Sequence, residues 1–247
     1  MKRRLLSMRW RDALFAHWAV DPETVAARLP DPLSVATYDG DAYLGVVPFD
    51  MTDIRPRGSP VGLSFPELNL RTYVTDGDVS GVYFFSLDAA DPVGVGVARS
   101  LFRLPYYRAS MDVTRDGDRV RVRSERTGRR DHPADFDATY WPTGEAVTPE
   151  PGSLEAFLVE NYRFYTEGRG TIYYGDIDHD PWPLAPAEWE VRTNDLFAAN
   201  GFAEPTDDPI LHYSPGADVT ADRIRRLDTD ATSDRGRAVD IPVVDAD

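Results

Sequence analysis

The sequence predicts a mainly β (α+β) domain, an antiparallel β-barrel with a few peripheral helices. Three observations carry this. Short runs with period-two alternation of apolar and polar residues recur along the chain. Turn dipeptides such as Asp39-Gly40, Asp76-Gly77 and Asp116-Gly117 punctuate them. Only two or three stretches carry helix start and stop signals. The chain has 247 residues, 42% of them hydrophobic, enough to fill one barrel core. We expect a single barrel domain over residues 1–227 and an acidic, poorly ordered tail over 228–247.

Residues 14–20 read as a first strand. Asp21-Pro22-Glu23 then starts a short helix, with Asp21 as cap and Pro22 in the first turn, ending before Pro30. Residues 42–49 form an apolar strand after the Asp39-Gly40 turn. Residues 55–66, rich in Gly and Pro, read as a loop. Residues 68–75 alternate cleanly. Leu68, Leu70, Thr72 and Val74 share one face; Glu67, Asn69, Arg71 and Tyr73 share the other. They form a hairpin with 81–87, a strand expected to be buried on both sides. Residues 109–115 pair with 119–125 in a second hairpin, and 136–141 form a further strand. Ser153 caps a helix whose apolar stripe is Leu154, Phe157, Leu158 and Tyr165. Strands over 171–174 and 189–193, a short helix over 194–200 capped by Asn194 and stopped by Gly201, and a strand over 210–213 complete the series.

The most informative run is residues 93–109. Val93, Val95 and Val97 share a face, while Gly94, Gly96 and Ala98 leave room on the other. The next residue on the valine face is Arg99. A buried guanidinium keeps its charge and needs an anionic partner, from the protein or from a ligand; at a strand end it can instead reach water along its own stem. Leu104-Pro105-Tyr106-Tyr107 follows. Pro105 cannot donate to a ladder and marks a bulge or an edge.

Arg99 followed by Leu104-Pro105-Tyr106-Tyr107 resembles the acetoacetate decarboxylase pattern Gly-Arg-Glu, three residues, Pro-Lys-Lys. In that family the first lysine forms an imine with a β-keto acid and the second lowers its pKa. The chain as a whole is more similar to the YqjF-like family of uncharacterised proteins, in the same superfamily. Phe15-Ala16-His17-Trp18, Pro66-Glu67-Leu68-Asn69-Leu70-Arg71-Thr72-Tyr73-Val74, Leu104-Pro105-Tyr106-Tyr107-Arg108-Ala109 and His179-Asp180-Pro181-Trp182-Pro183-Leu184 carry this resemblance. It implies a decarboxylase-like barrel or cone with its site inside, and puts Glu67 where the decarboxylase has an active-site glutamate. The departure is decisive for chemistry. Both lysine positions are tyrosines, and Lys2 is the only lysine. A phenol forms no imine, so Schiff-base decarboxylation is excluded by residue identity.

Glu67, Asn69, Arg71 and Tyr73 make either the solvent face of a strand or an internal polar network. In a chain that covers its surface mainly with Asp, the mixed composition favours the network. A Glu67–Arg99 pair beside Tyr106 would hold a carboxylate-bearing ligand. The expected catalytic residues are Tyr106 and Glu67. The expected ligand contacts are Arg99, Arg71, Asn69, Tyr107, His179 and Trp182, the last two at the barrel mouth. Asp176, Asp178 and Asp180 lack the pattern of a calcium loop and read as a solvated acidic loop. His17, His132, His179 and His212 have no zinc spacing, there is no nucleophile elbow, and no phosphate loop or dinucleotide fingerprint. No metal and no cofactor is expected.

Net charge is −15, from 42 acidic and 27 basic residues; with one lysine, 26 of the latter are arginines. An acidic, lysine-poor surface resembles that of proteins from salt-in halophiles, where salt screens self-repulsion. It argues against nucleic acid and anionic membrane partners. Cysteine is absent, and Arg9 and Arg11 interrupt any signal-peptide core. The expected setting is cytoplasmic. Two functions of different class follow: a small-molecule barrel binding a carboxylate or keto acid, or a lysine-independent lyase, isomerase or hydrolase using Tyr106 or Glu67 as acid or base. The oligomeric state is open, a homo-oligomer among the alternatives.

Overall fold

The computed structural model describes residues 5–90, 102–128 and 132–228. The expected strand at 93–98, Arg99, Lys2 and nearly all of the expected tail lie outside the described residues.

In chain order the elements are β1 (Leu6–Val20), α1 (Pro22–Ala26), β2 (Ser34–Val35), β3 (Ala42–Pro56), β4 (Leu63–Thr75), β5 (Ser80–Ala89), β6 (Tyr106–Asp116), β7 (Arg119–Arg126) and β8 (Asp135–Pro142). Then follow α2 (Leu154–Val159), β9 (Arg163–Glu167), β10 (Ile172–His179), β11 (Ala185–Asn194), α3 (Leu196–Ala199), β12 (Ile210–Ala221) and β13 (Arg225–Arg226). The fold is a mainly antiparallel β-barrel of the acetoacetate decarboxylase type with three short helices among the described residues.

The sheet closes on itself by a branched route. From β5, hydrogen bonds lead to β12 along three paths: through β4, β3 and β1; through β9 and β10; and through β6, β7, β8 and β11. The first two paths enclose a ring of seven strands, the first and third a ring of nine. β4, β3 and β1 are therefore a wall shared by two cores. Strand alternation sends one set of side chains into each. Ala13, Phe15, Tyr43, Val47, Phe49 and Tyr73 join the core of the seven-strand ring. Leu14, Ala16, Leu44, Val46, Leu68 and Leu70 join the other, against Val122, Phe136 and Tyr140. A strand with both faces covered cannot expose its polar positions, and that is why Glu67, Asn69 and Tyr73 are all buried.

Local signals place the helices and turns. Asp21 Oδ1 accepts the Glu23 N–H at 2.8 Å, and Ser153 Oγ accepts the Ala156 N–H at 3.2 Å. The β6–β7 hairpin pairs Asp116 with Arg119, and Gly117 supplies its φ of +61°.

Several expectations are corrected. α2 stops at Val159; Tyr165 belongs to β9, where residues 164 and 165 pair in parallel with β5 and in the antiparallel sense with β10. A ladder on both sides outweighs one more apolar residue on a helix. Residues 176–179 lie in β10, not in a solvated loop, and Asp176 is held by Arg163 Nε at 2.9 Å. The expected loop at 55–66 shrinks to 57–62, since β3 runs to Pro56 and β4 starts at Leu63. β1 begins eight residues early, at Leu6. Arg9 and Arg11 broke its pattern, and Arg11 Nη2 meets Asp218 Oδ1 at 2.6 Å. α3 spans only Leu196–Ala199 with Asp195 at the cap position, while the side chain that accepts the Leu196 N–H is that of Asn194, whose Oδ1 lies at 3.4 Å.

Candidate functional site

The seven-strand ring holds a cavity of about 160 Å³. Its polar wall comes from β4. Positions 67, 69, 71 and 73 recur every second residue on the inward face. Beside it, one strand beyond β5, stands the first residue of β6. Pro105 has no N–H to give β5, but its carbonyl accepts the Leu87 N–H at 3.1 Å. That seats Tyr106 beside Leu87 in a short parallel ladder, pointing inward.

Tyr106 Oη donates to Glu67 Oε2 at 2.5 Å. Asn69 Nδ2 donates to Glu67 Oε1 at 3.4 Å. Glu67 is 2% exposed and Tyr106 5%. Burial pushes the Glu67 carboxyl up to about 7; the hydrogen bonds from Tyr106 and Asn69 oppose this, Asp88 adds to it, and Arg71 opposes it. Burial, then the neighbouring Glu67 charge and hydrogen bond, raise the Tyr106 phenol well above its ordinary value. Tyr106 is therefore a donor to Glu67 rather than a base, and Glu67 is the group that titrates near neutrality.

Arg71 Nη2 donates to Leu158 O at 3.3 Å and Tyr73 Oη at 3.4 Å. Its Nε is buried without a partner. Among the described residues it forms no ion pair. The guanidinium carbon sits 5.3 Å from the Phe15 ring centroid.

Behind Arg71 lies a network that the sequence did not single out. Tyr73 Oη is 2.6 Å from Leu158 O and 2.6 Å from His17 Nε2. A carbonyl only accepts, so the phenol proton goes to Leu158 and His17 Nε2–H donates to Tyr73. His17 Nδ1 is then an acceptor, and it has no partner. Burial first, then Arg71 and His212, push the His17 ring well below its usual titration range. Gly45, opposite His17 across β1 and β3, makes the room: a Cβ there would lie 2.7 Å from His17 Cδ2. The available signal was His17's parity with Ala13 and Phe15.

Of the residues singled out in the sequence, Glu67, Arg71, Tyr106, His179 and Trp182 line the cavity. Asn69 does not; it holds Glu67 from the side. Tyr107 faces the other way and stacks under Arg126, whose guanidinium carbon is 4.1 Å from its ring centroid. Arg126 Nε in turn binds Asp88 Oδ1 at 2.8 Å in a buried pair. Arg99, the expected anchor, lies outside the described residues. The sequence reading did not single out the aromatic lining of Trp10, Phe65, Phe84 and Phe102, nor the polar rim of Asn161 and Arg163. Asn161, Arg163 and Ile177 also line an adjoining cleft of about 520 Å³, whose other walls include Glu160, Asp176, Asp178 and Asp222. That cleft carries four carboxylates and one arginine. No group of metal-ligating side chains occurs among the described residues.

No helix among the described residues is long and apolar enough to cross a membrane. Uncharacterized protein YqjF of Bacillus subtilis (strain 168) is 43% identical over 218 residues, 87% of this chain and 89% of that protein. Solved structures share the fold at low identity. Acetoacetate decarboxylase from Legionella pneumophila matches with a TM-score of 0.62 at 13% identity, covering 91% of this chain and 87% of that one. An acetoacetate decarboxylase-like enzyme from Sphingomonas wittichii RW1 matches with a TM-score of 0.62 at 14% identity, covering 92% and 94%. The enduracididine biosynthesis enzyme MppR complexed with pyruvate matches with a TM-score of 0.63 at 11% identity, covering 92% of each chain. Residues 7–218 match the DUF2071 family of uncharacterised conserved proteins, and the chain belongs to that family.

Proposed function

We propose that the barrel binds a compact monocarboxylate, its anionic end at Arg71 and its apolar body among the aromatic rings. The carrying observation is Arg71 itself. It is a buried guanidinium with an unpartnered Nε and no ion pair among the described residues. A guanidinium cannot shed its charge, and an unpaired buried cation is costly, so an anionic ligand completes it. A cavity of roughly 150 Å³ accepts benzene, so about 160 Å³ suits a single ring or a short branched acid. The pyruvate complex of MppR supports the choice of an organic acid. The net charge of −15, the single lysine and the absence of cysteine support a salt-rich cytoplasm as its setting. The test is a calorimetric titration of benzoate and benzamide in concentrated KCl. Benzoate should bind, benzamide should not, and Arg71→Met should abolish the difference.

A second reading has its own observation. A buried carboxyl titrating at about 7 is tuned for general acid–base work. Glu67 would then move a proton on the bound acid, with Tyr106 O–H steadying its ionised form. Deuterium exchange at C3 of a bound 2-keto acid, the carbon next to its ketone, followed by proton NMR, should proceed in the wild type and fail in Glu67→Gln.

A further inference from the structure

The lining of the cavity contains one more unsatisfied atom, and it is of the opposite kind to Arg71. His179 is 8% exposed. Its Nδ1 lies 2.8 Å from Asp180 O. A carbonyl has no proton to give, so Nδ1 carries the hydrogen. In the uncharged ring Nε2 is then an acceptor, and Nε2 is buried with no partner. The ring is held in place by packing. Tyr162 stacks on it at 4.6 Å and 22°, and Trp182 leans on it at 5.4 Å. Tyr162 is steadied by Glu160 Oε2 at 2.5 Å, while Glu160 Oε1 accepts the Trp182 N–H at 2.8 Å. A single carboxylate thus steadies both aromatic neighbours of the imidazole. His179 lines the cavity, and a ring held this firmly with an unengaged lone pair is suited to receive a hydrogen bond.

A run of ring contacts leads from one unsatisfied atom to the other: Arg71 packs over Phe15, Phe15 meets Trp182 edge-on at 5.1 Å, and Trp182 lies 5.4 Å from His179. We propose that the ligand bears a hydrogen-bond donor (a phenol, alcohol or N–H) at the end remote from its carboxylate, received by His179 Nε2. The substrate class is therefore a compact hydroxy- or amino-substituted carboxylic acid rather than a plain acid or a small keto acid. This rests on the placement of the carboxylate at Arg71.

The test is calorimetry on the full chain in concentrated KCl with benzoate, 4-methylbenzoate, 4-methoxybenzoate and both 3- and 4-hydroxybenzoate. One hydroxybenzoate should bind about 10-fold more tightly than 4-methylbenzoate, the gain of one satisfied buried acceptor. His179→Phe, which keeps an aromatic ring for Tyr162 and Trp182 to pack on, should bring that ratio to about one. Equal affinities for hydroxy and methyl probes in the wild type would overturn the inference and leave the monocarboxylate reading standing. Tighter binding of 4-methoxybenzoate would also overturn it, since it would show that Nε2 carries the proton. If no benzoate binds, both readings fall. The wild-type ratio is decisive even if the variant does not fold.

Discussion

Tyr106 Oη donates to Glu67 Oε2 at 2.5 Å inside the seven-strand ring. One group comes from the inward face of β4 and the other from the first residue of β6, two strands apart in the sheet. Each sets the other's chemistry. The phenol stays protonated, and the carboxyl is left to titrate close to neutral pH.

That pair predicts a pH dependence of stability. The Glu67 carboxyl rises from 4.5 to about 7 on folding, so the folded state holds its proton more tightly than the unfolded chain. Its contribution is fully present below about 4.5 and is lost as pH climbs to about 7. The loss is on the order of 3 kcal/mol. Glu67→Gln should flatten that part of the curve in urea melts between pH 4.5 and 7.5. An unchanged slope would show that Glu67 is ionised throughout.

Tyr106→Phe keeps the ring and removes the donor that favours ionised Glu67. The carboxyl should titrate still higher, readable as the infrared band of the protonated acid persisting to higher pH. The stability cost should be about 1–2 kcal/mol. A carboxyl that titrates lower in the variant would contradict the hydrogen-bond assignment.

Gly45→Ala should be costly although alanine suits a strand better. Its Cβ would meet His17 Cδ2 at 2.7 Å and Nε2 at 2.8 Å, and His17 is fixed by Tyr73. We expect a loss of about 1–3 kcal/mol, recovered in part by adding His17→Ala. A neutral single variant in thermal melts would refute the tight fit.

The acidic cleft beside the cavity predicts unusual salt dependence. An anion that enters through this cleft passes Glu160, Asp176, Asp178 and Asp222 on a chain of net charge −15. Added KCl should therefore speed benzoate association in stopped-flow measurements, instead of leaving it unchanged. A rate that falls with salt would mean that entry is elsewhere.

Much of this architecture was legible because local rules carried it. The Asp76-Gly77 and Asp116-Gly117 turns, the Asp21 and Ser153 caps and the alternation of β4 each depend on neighbours in sequence. The two faces of β4 were separated correctly, and Glu67, Arg71 and Tyr106 were brought into one cavity. The rest depended on pairing between distant segments. Arg9 and Arg11 disguised the start of β1, because their partners lie on β12. β9 was missed because its pairing with β5 and β10 is set by closure of the ring. Tyr107 was grouped with Tyr106, yet adjacent residues in a strand face opposite sides, and Tyr107 serves the buried Arg126–Asp88 pair. His17 was passed over because a lone histidine gives no motif. Its part appears only when Gly45, Tyr73 and Leu158 are brought around it.

The most direct test of the central claim is a crystal structure of the protein grown with benzoate in high salt. The account predicts the carboxylate about 3 Å from the Arg71 guanidinium, with the ring against Trp182. A benzoate bound elsewhere, with Arg71 paired to a protein carboxylate, would contradict it.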